Sequence, residues 1–234
     1  VYLYRTKGTS GTALYITEVK MGDHQFTTVM ENYDYDHGIV GNIENTIFLR
    51  TNYKAPNWRL VKFNHDNPGP ENWIEVIPES EYPLNSVSIT GGKLLVKYSK
   101  DVSSRLYVYS LDGKSESEVE LPTVGTASGF GGKQNDNEVF YNFTSFAYPP
   151  TIYRYNINTN SSTLYRQSKV DVDFSLYETK QVFYPSKDGT KIPMFITHKK
   201  GLQYDGTAPT LLYAYGGFNI SINPYFSVSR MILL

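Results

Sequence analysis

The stretch TLLYAYGGFNISINP, residues 210–224, concentrates the residue types best suited to chemistry. An apolar run, 210–215, delivers a Gly-Gly pair followed by a phenylalanine. Tyr213 and Tyr215 carry phenol hydroxyls, donors that can be aimed at a developing negative charge. Gly216 and Gly217 let the backbone turn tightly and bring its amides close to a ligand. Phe218 offers an apolar ring. The run reads as a strand buried on both faces, as in the centre of a parallel or mixed α/β sheet. The carboxyl end of such a strand is where open α/β sheets place their ligand crevices. In α/β-hydrolases a loop after an early strand supplies part of the oxyanion hole. The competing reading is a plain strand-to-loop turn with core aromatics.

Other chemistry finds little support. There are 4 His and no Cys. His24, His37, His65 and His198 are expected at the surface or in loops, and no two are spaced to share a helix or strand face, so neither a metal site nor a cofactor is predicted. The carboxylates and His in YDYDHG, residues 33–38, are expected to cap turns or face a channel. No Gly-x-Ser-x-Gly elbow occurs in the 234 residues. Three N-x-Ser/Thr triplets, at Asn142, Asn160 and Asn219, are what chance gives at this composition.

A net charge of -1 gives no basis for a nucleic-acid partner. No apolar run approaches the roughly 20 residues of a membrane span. The opening VYLYRTKGTSG has no signal-peptide pattern and no initiator Met, so the chain reads as part of a longer protein. Absence of cysteine points to a cytoplasmic location.

These candidates must be positioned by a mostly β framework. Tyrosine is unusually frequent, with 21 residues, and suits half-buried strands. Four segments align, starting at Val1, Ile47, Leu94 and Val139: a short apolar strand, a polar loop, then a second alternating strand. Their equivalent residues Tyr15, Leu60, Tyr107 and Tyr153 are separated by 45, 47 and 46 positions. Small, glycine-rich segments precede the later hairpins, HGIVGN at 37, NSVSIT at 85 and TASGFGG at 126, and suit inner strands crowded near a central axis. A period near 45 with three or four strands per unit is a β-propeller signature. The first unit lacks its inner strand. An irregular β-sandwich is the alternative fold. A propeller glycosidase lacks its Ser-x-Asp-x-Gly-x-Thr-Trp turns here, and a WD40-type scaffold lacks its Trp-Asp endings.

After Ser168 the rhythm stops. Gln181 to Pro185 and Lys191 to Thr197 flank Lys187-Asp188-Gly189-Thr190, a strong hairpin signal. A polar loop, HKKGLQYDGTAP, then leads to the apolar run at 210.

The sequences VFYPSKDGTKIPMFITHKKG and LLYAYGGFNISINPYFSVSR resemble the prolyl oligopeptidase family of serine peptidases, as do LRTNYKAPNWRLVKFN and VFYNFTSFAYPPTIYRYN in the repeats. The resemblance implies part of a seven-bladed β-propeller, residues 1–168, followed from residue 171 to 234 by the first strands of an α/β-hydrolase domain. It implies cleavage of short peptides after proline, with the propeller excluding folded proteins. Tyr215 matches the family's oxyanion donor, Gly216 and Gly217 its oxyanion-loop backbone, and Phe218 its proline-pocket ring. Ala214 stands where many members carry Gly. The nucleophile, acid and base are then expected from the remainder of the same polypeptide or a second chain. Two alternatives stay open: a non-catalytic propeller scaffold, and a relative that ligates or cyclises peptides.

Overall fold

The computed structural model describes residues 1–19, 22, 25–218 and 220–234. His24 and the acceptor of the Asn219 triplet lie outside the described residues. Among the described residues, seventeen strands account for most of the regular structure. Strands β1 (Tyr2–Thr6), β2 (Thr12–Ile16) and β3 (Thr27–Met30) form a three-stranded sheet. Next comes a four-stranded sheet of β4 (His37–Ile43), β5 (Thr46–Thr51), β6 (Arg59–Asn64) and β7 (Ile74–Ile77). Strands β8 (Leu84–Thr90), β9 (Lys93–Lys100), β10 (Ser103–Tyr109) and β11 (Ser115–Val119) form another, and β12 (Thr126–Gly131), β13 (Glu138–Ser145), β14 (Tyr148–Asn156) and β15 (Ser161–Gln167) a third. In each sheet, strands adjacent in sequence are adjacent in space. Strands β16 (Tyr177–Pro185) and β17 (Lys191–Lys199) pair as a separate antiparallel hairpin, and α1 (Val228–Met231) is one helical turn.

The four repeats are therefore four meanders, the first without an inner strand. Each hairpin read from the sequence is the central strand pair of its sheet or, in the first, β1 and β2. The glycine-rich segments are β4, β8 and β12. The outer strands β3, β7, β11 and β15 are the ones periodicity missed: β11 reads SESEV with a single buried residue.

By contact density the chain divides into two compact units. One comprises Val1–Tyr98, Tyr107–Glu118 and Gly131–Asn137, the other Ser99–Leu106, Val119–Phe130 and Glu138–Leu234. In the first unit, strand alternation decides the packing. Ile47 and Leu49 of β5 join Val61 and Phe63 of β6 in a core with Leu14, Ile16 and Val29 of the first sheet. Phe48 and Leu60, on the opposite face, pack with Leu84, Ile89, Leu94 and Val96 of the β8–β11 sheet. The β4–β7 sheet is thus apolar on both faces. Each such side chain contributes roughly 1.5–3 kcal/mol when fully buried.

Close approach explains the small residues of the inner strands. A Cβ on Gly41 of β4 would sit 3.3 Å from Ile89 Cδ1, and one on Gly131 would sit 2.9 Å from Ser88 Cβ and Oγ. The loop after β12 ties the inner strands together: Gly91 N–H donates to the Gln134 carbonyl at 2.9 Å, and Gln134 Nε2 donates to the Asn42 carbonyl at 2.7 Å.

Within the second unit the β12–β15 sheet is built around aromatics. Phe130 meets Tyr155 edge-on at 5.4 Å, and Tyr141 stacks on Tyr153 at 5.3 Å. The buried Tyr141 hydroxyl is satisfied by Ser162 Oγ at 3.0 Å.

One loop chemistry appears twice. Ser110-Leu111-Asp112-Gly113-Lys114 joins β10 to β11, and Ser186-Lys187-Asp188-Gly189-Thr190 joins β16 to β17. In both, the Ser N–H donates to the carbonyl four residues on, at 2.9 and 2.8 Å, and the Gly N–H returns to the Ser carbonyl at 3.0 Å. The Ser hydroxyl donates to the Asp carboxylate in each. Gly113 and Gly189 adopt φ of 88° and 84°, left-handed values that favour glycine. Their surroundings differ. A Cβ on Gly113 would lie 1.7 Å from the Val76 carbonyl oxygen, whereas nothing lies within 4 Å of one on Gly189. Urea unfolding should therefore show Gly189→Ala costing only the backbone term, about 1–2 kcal/mol. Gly113→Ala should cost more, by roughly the 1–3 kcal/mol of an overpacked contact. Equal losses at the two positions would contradict this assignment.

Candidate active site

The apolar run at 210–215 does not form the strand expected of it. Residues 210 to 216 are unpaired. Leu211, Leu212 and Tyr213 are 69%, 80% and 67% exposed, so the expected burial on both faces is absent. The physical reason lies in pairing. A central strand needs a neighbour on each edge and cover on each face, and the described residues after Ser168 supply one hairpin, a 3-10 turn at Phe174–Leu176 and one turn of α-helix, none of which pairs with this segment.

Of the four nominated residues, Tyr215 and Gly217 are in direct contact. The Tyr215 ring folds back over Gly217: a Cβ there would sit 3.1 Å from the phenol oxygen and 3.3 Å from Cζ. Any larger residue at 217 would displace the phenol. Nothing lies within 4 Å of a Cβ on Gly216, which leaves its backbone open to approach. Ile220 N–H donates to the Gly217 carbonyl at 3.1 Å, closing a turn around Phe218. Phe218 adopts φ of 54°, a left-handed conformation unusual for a bulky residue, and its ring is 92% exposed. Strain of about 1–3 kcal/mol at such a position is a recurrent mark of functional segments.

Both flanks of this segment are anchored. Upstream, His198 Nδ1 bonds to the Lys199 carbonyl at 2.8 Å, so Nδ1 carries the proton. Its Nε2 accepts the Tyr204 hydroxyl at 2.6 Å, with Glu178 Oε1 at 3.7 Å. Downstream, Thr126 Oγ1 donates to the Pro224 carbonyl at 2.7 Å, and Phe226 N–H donates to Thr144 Oγ1 at 3.1 Å. Phe226 meets Phe174 edge-on at 5.4 Å, the Arg230 guanidinium lies 3.9 Å from the Tyr225 ring centroid, and Met231 is buried. Residues 205 to 223 thus span two fixed points. The anchors on β12 and β13 lie 98 and 82 residues from their partners, and isolated threonines carry no signal by which sequence could have nominated them.

The meanders and their stacked cores define a β-propeller type of repeat protein. The profile of the family described as "Prolyl oligopeptidase, N-terminal beta-propeller domain" matches residues 1–168. The chain belongs to the prolyl oligopeptidase family. It is 43% identical over 224 residues to a prolyl endopeptidase of Elizabethkingia miricola, covering 96% of this chain and 32% of that protein. It is 33% identical over 238 residues to a dual function macrocyclase-peptidase of Galerina marginata, covering 97% and 32%. A solved structure from a study of two prolyl endopeptidases superposes with a TM-score of 0.90 at 36% identity, over 100% of this chain and 34% of that one. Prolyl oligopeptidase B from Galerina marginata, bound to a 35mer hydrolysis and macrocyclization substrate, superposes with a TM-score of 0.87 at 33% identity, over 97% and 33%. The chain spans about a third of the length of the relatives it matches. Among the described residues, no helix is long and apolar enough to cross a membrane.

Two histidines sit otherwise than expected. His198 is 5% exposed in β17, and His37 is 7% exposed in β4. Each is the one buried position of its strand, at the start of β4 and next to the end of β17, which is visible only once strand bounds are known. The neighbouring Asp36, one of the YDYDHG carboxylates, accepts the Gly11 N–H at 2.8 Å and so fastens a loop of the first sheet. His37 Nδ1 shares a hydrogen bond with Thr51 Oγ1 at 2.8 Å, and its Nε2 is buried without a partner. Burial pushes its pKa down to about 4, against an opposing pull from Asp36. The folded state therefore holds His37 neutral, while the unfolded chain takes up a proton near pH 6.5. Its contribution is complete above that value and is lost as pH falls towards 4, on the order of 3 kcal/mol in all. Denaturation curves between pH 7 and pH 4.5 should show this loss, and His37→Gln should flatten the slope. An unchanged slope in the variant would refute the assignment.

Proposed function

We propose that this chain is part of a serine endopeptidase that hydrolyses short peptides on the carboxyl side of proline. One observation carries the reading: 43% identity to a prolyl endopeptidase over 224 of the chain's residues, a span that must run beyond the propeller profile and into residues 169–234. On this reading, residues 1–168 are later blades of a seven-bladed propeller and 171–234 open the main α/β-hydrolase segment. The propeller acts as a size filter that admits short, flexible peptides. The nucleophile, its acid and its base come from the remainder of the same polypeptide or from a second chain.

Tyr215 donates its hydroxyl to the oxyanion of the tetrahedral intermediate. A donor of this kind serves the transition state more than the ground state, because charge appears on that oxygen only as the nucleophile adds. Gly217 keeps the space the phenol occupies, and Gly216 leaves backbone free beside it. The exposed ring of Phe218 receives the proline ring, an apolar contact that gains from burial without demanding hydrogen bonds. Strands of the remaining hydrolase segment would supply the backbone pairing that residues 210–216 lack here and would cover the exposed Leu211 and Leu212.

A second reading has its own support, since one relative is named a dual function macrocyclase-peptidase. Cyclisation and hydrolysis share the acyl-enzyme and differ in whether an amine or water attacks it. Mass analysis of products from a linear proline peptide separates the two, because cyclisation releases no water-added product.

In the complete enzyme, Tyr215→Phe should lower kcat by about 10²–10³ while KM changes little. A rate equal to that of the parent would remove Tyr215 from the mechanism. Phe218→Ala should narrow the preference for proline over alanine at the cleaved residue, roughly ten-fold or more for a lost ring contact. Undiminished selectivity would place the proline pocket elsewhere.

A further inference from the structure

Arg50 is a half-buried cation with no anion on it. It projects from β5 and donates from Nη1 to the Leu84 carbonyl at 2.8 Å. No Asp or Glu oxygen among the described residues bonds to it. Asp36 acts on it through space, without a hydrogen bond between them, while accepting the Gly11 N–H. A second cation, Lys97 of β9, lies near enough for the two to act on each other as like charges. Burial holds both groups below their ordinary pKa, and Arg50 depresses Lys97 further. Cations withdrawn from water are normally paired with an anion.

The guanidinium is also held in one place. Its Cζ lies 3.7 Å from the centroid of the Trp58 ring. Trp58 itself adopts φ of 69°, an outlier for so bulky a residue. Its loop enforces that conformation. Ala55 N–H donates to the Asn52 carbonyl at 3.0 Å, and Trp58 N–H to the Ala55 carbonyl at 2.7 Å. The Asn57 side chain reaches the carbonyls of Ser80 and Glu81, at 3.0 and 3.3 Å. Backbone strain is thus maintained to keep an indole under a planar fork of donors. Guanidinium planes fixed by stacking, with their outer donors unspent, match carboxylates in geometry as well as charge.

We propose that Arg50, ordered by Trp58, is a carboxylate-binding subsite on the propeller, and that its ligand is the C-terminal α-carboxylate of a peptide. The choice of a peptide rests on the peptidase reading. The ordering of the Arg50 guanidinium by Trp58 and the Leu84 carbonyl rests on the geometry alone.

The test uses the complete polypeptide and an N-acetylated peptide of Ala and Gly, which offers no proline bond to cleave. Its affinity is measured by calorimetry at low ionic strength as the free acid and as the C-terminal carboxamide. The acid should bind at least about five-fold more tightly, and the preference should shrink as salt is raised. In Arg50→Gln the preference should disappear while the affinity of the carboxamide is unchanged. Equal affinity of acid and carboxamide in the parent, or a preference that survives in Arg50→Gln, would overturn the proposal and leave Arg50 as a bracket between β5 and β8. Should Arg50→Gln fail to fold, the parent's acid and carboxamide affinities decide alone. Failure to cleave proline peptides would instead overturn the peptidase reading and leave this comparison valid.

Discussion

A sheet that is apolar on both faces cannot stand alone in water. That constraint organises the first unit. The β4–β7 sheet turns Ile47 and Leu49 one way and Phe48 the other, so it requires a neighbour on each side. Stacked sheets satisfy it within that unit. Repetition is therefore a solution to burial before it is anything else. The close approach forced by stacking explains why inner strands carry Gly41, Ser88 and Gly131, where larger side chains would collide.

What could be read in the sequence follows from how local each signal was. The period of the hairpins was legible because strand alternation and turn residues are encoded within about twenty positions. The β16–β17 hairpin was legible for the same reason, although it extends to Tyr177 and Lys199, beyond the bounds the alternation suggested. The outer strand β11 was not legible, because its exposed positions hold Ser and Glu in a pattern that reads as loop. The run at 210–215 misled for the opposite reason. Its composition is that of a central strand, yet composition states a preference for burial and cannot supply the neighbours that satisfy it.

The candidate site divides in the same way. Tyr215, Gly216, Gly217 and Phe218 were found by their succession, and the fold of Tyr215 over Gly217 supplies a physical reason for that succession. The pieces that hold them were invisible. His198 became an anchor only when β17 buried it, and its bond to Tyr204 spans a loop whose sequence announces nothing of the sort. Arg50 and Trp58 were likewise ordinary until backbone conformation showed an indole held where it would not rest unaided.

The grip of Thr126 and Thr144 on the later segment carries a consequence of another kind. Both hydroxyls bond to main-chain groups, the Pro224 carbonyl and the Phe226 amide. Main-chain groups are the same whatever residue bears them. A join made this way reads the path of the chain rather than its lettering at 224 and 226, so the two threonines set where the segment runs while the side chains of Tyr225, Phe226 and Met231 set which residues it tolerates.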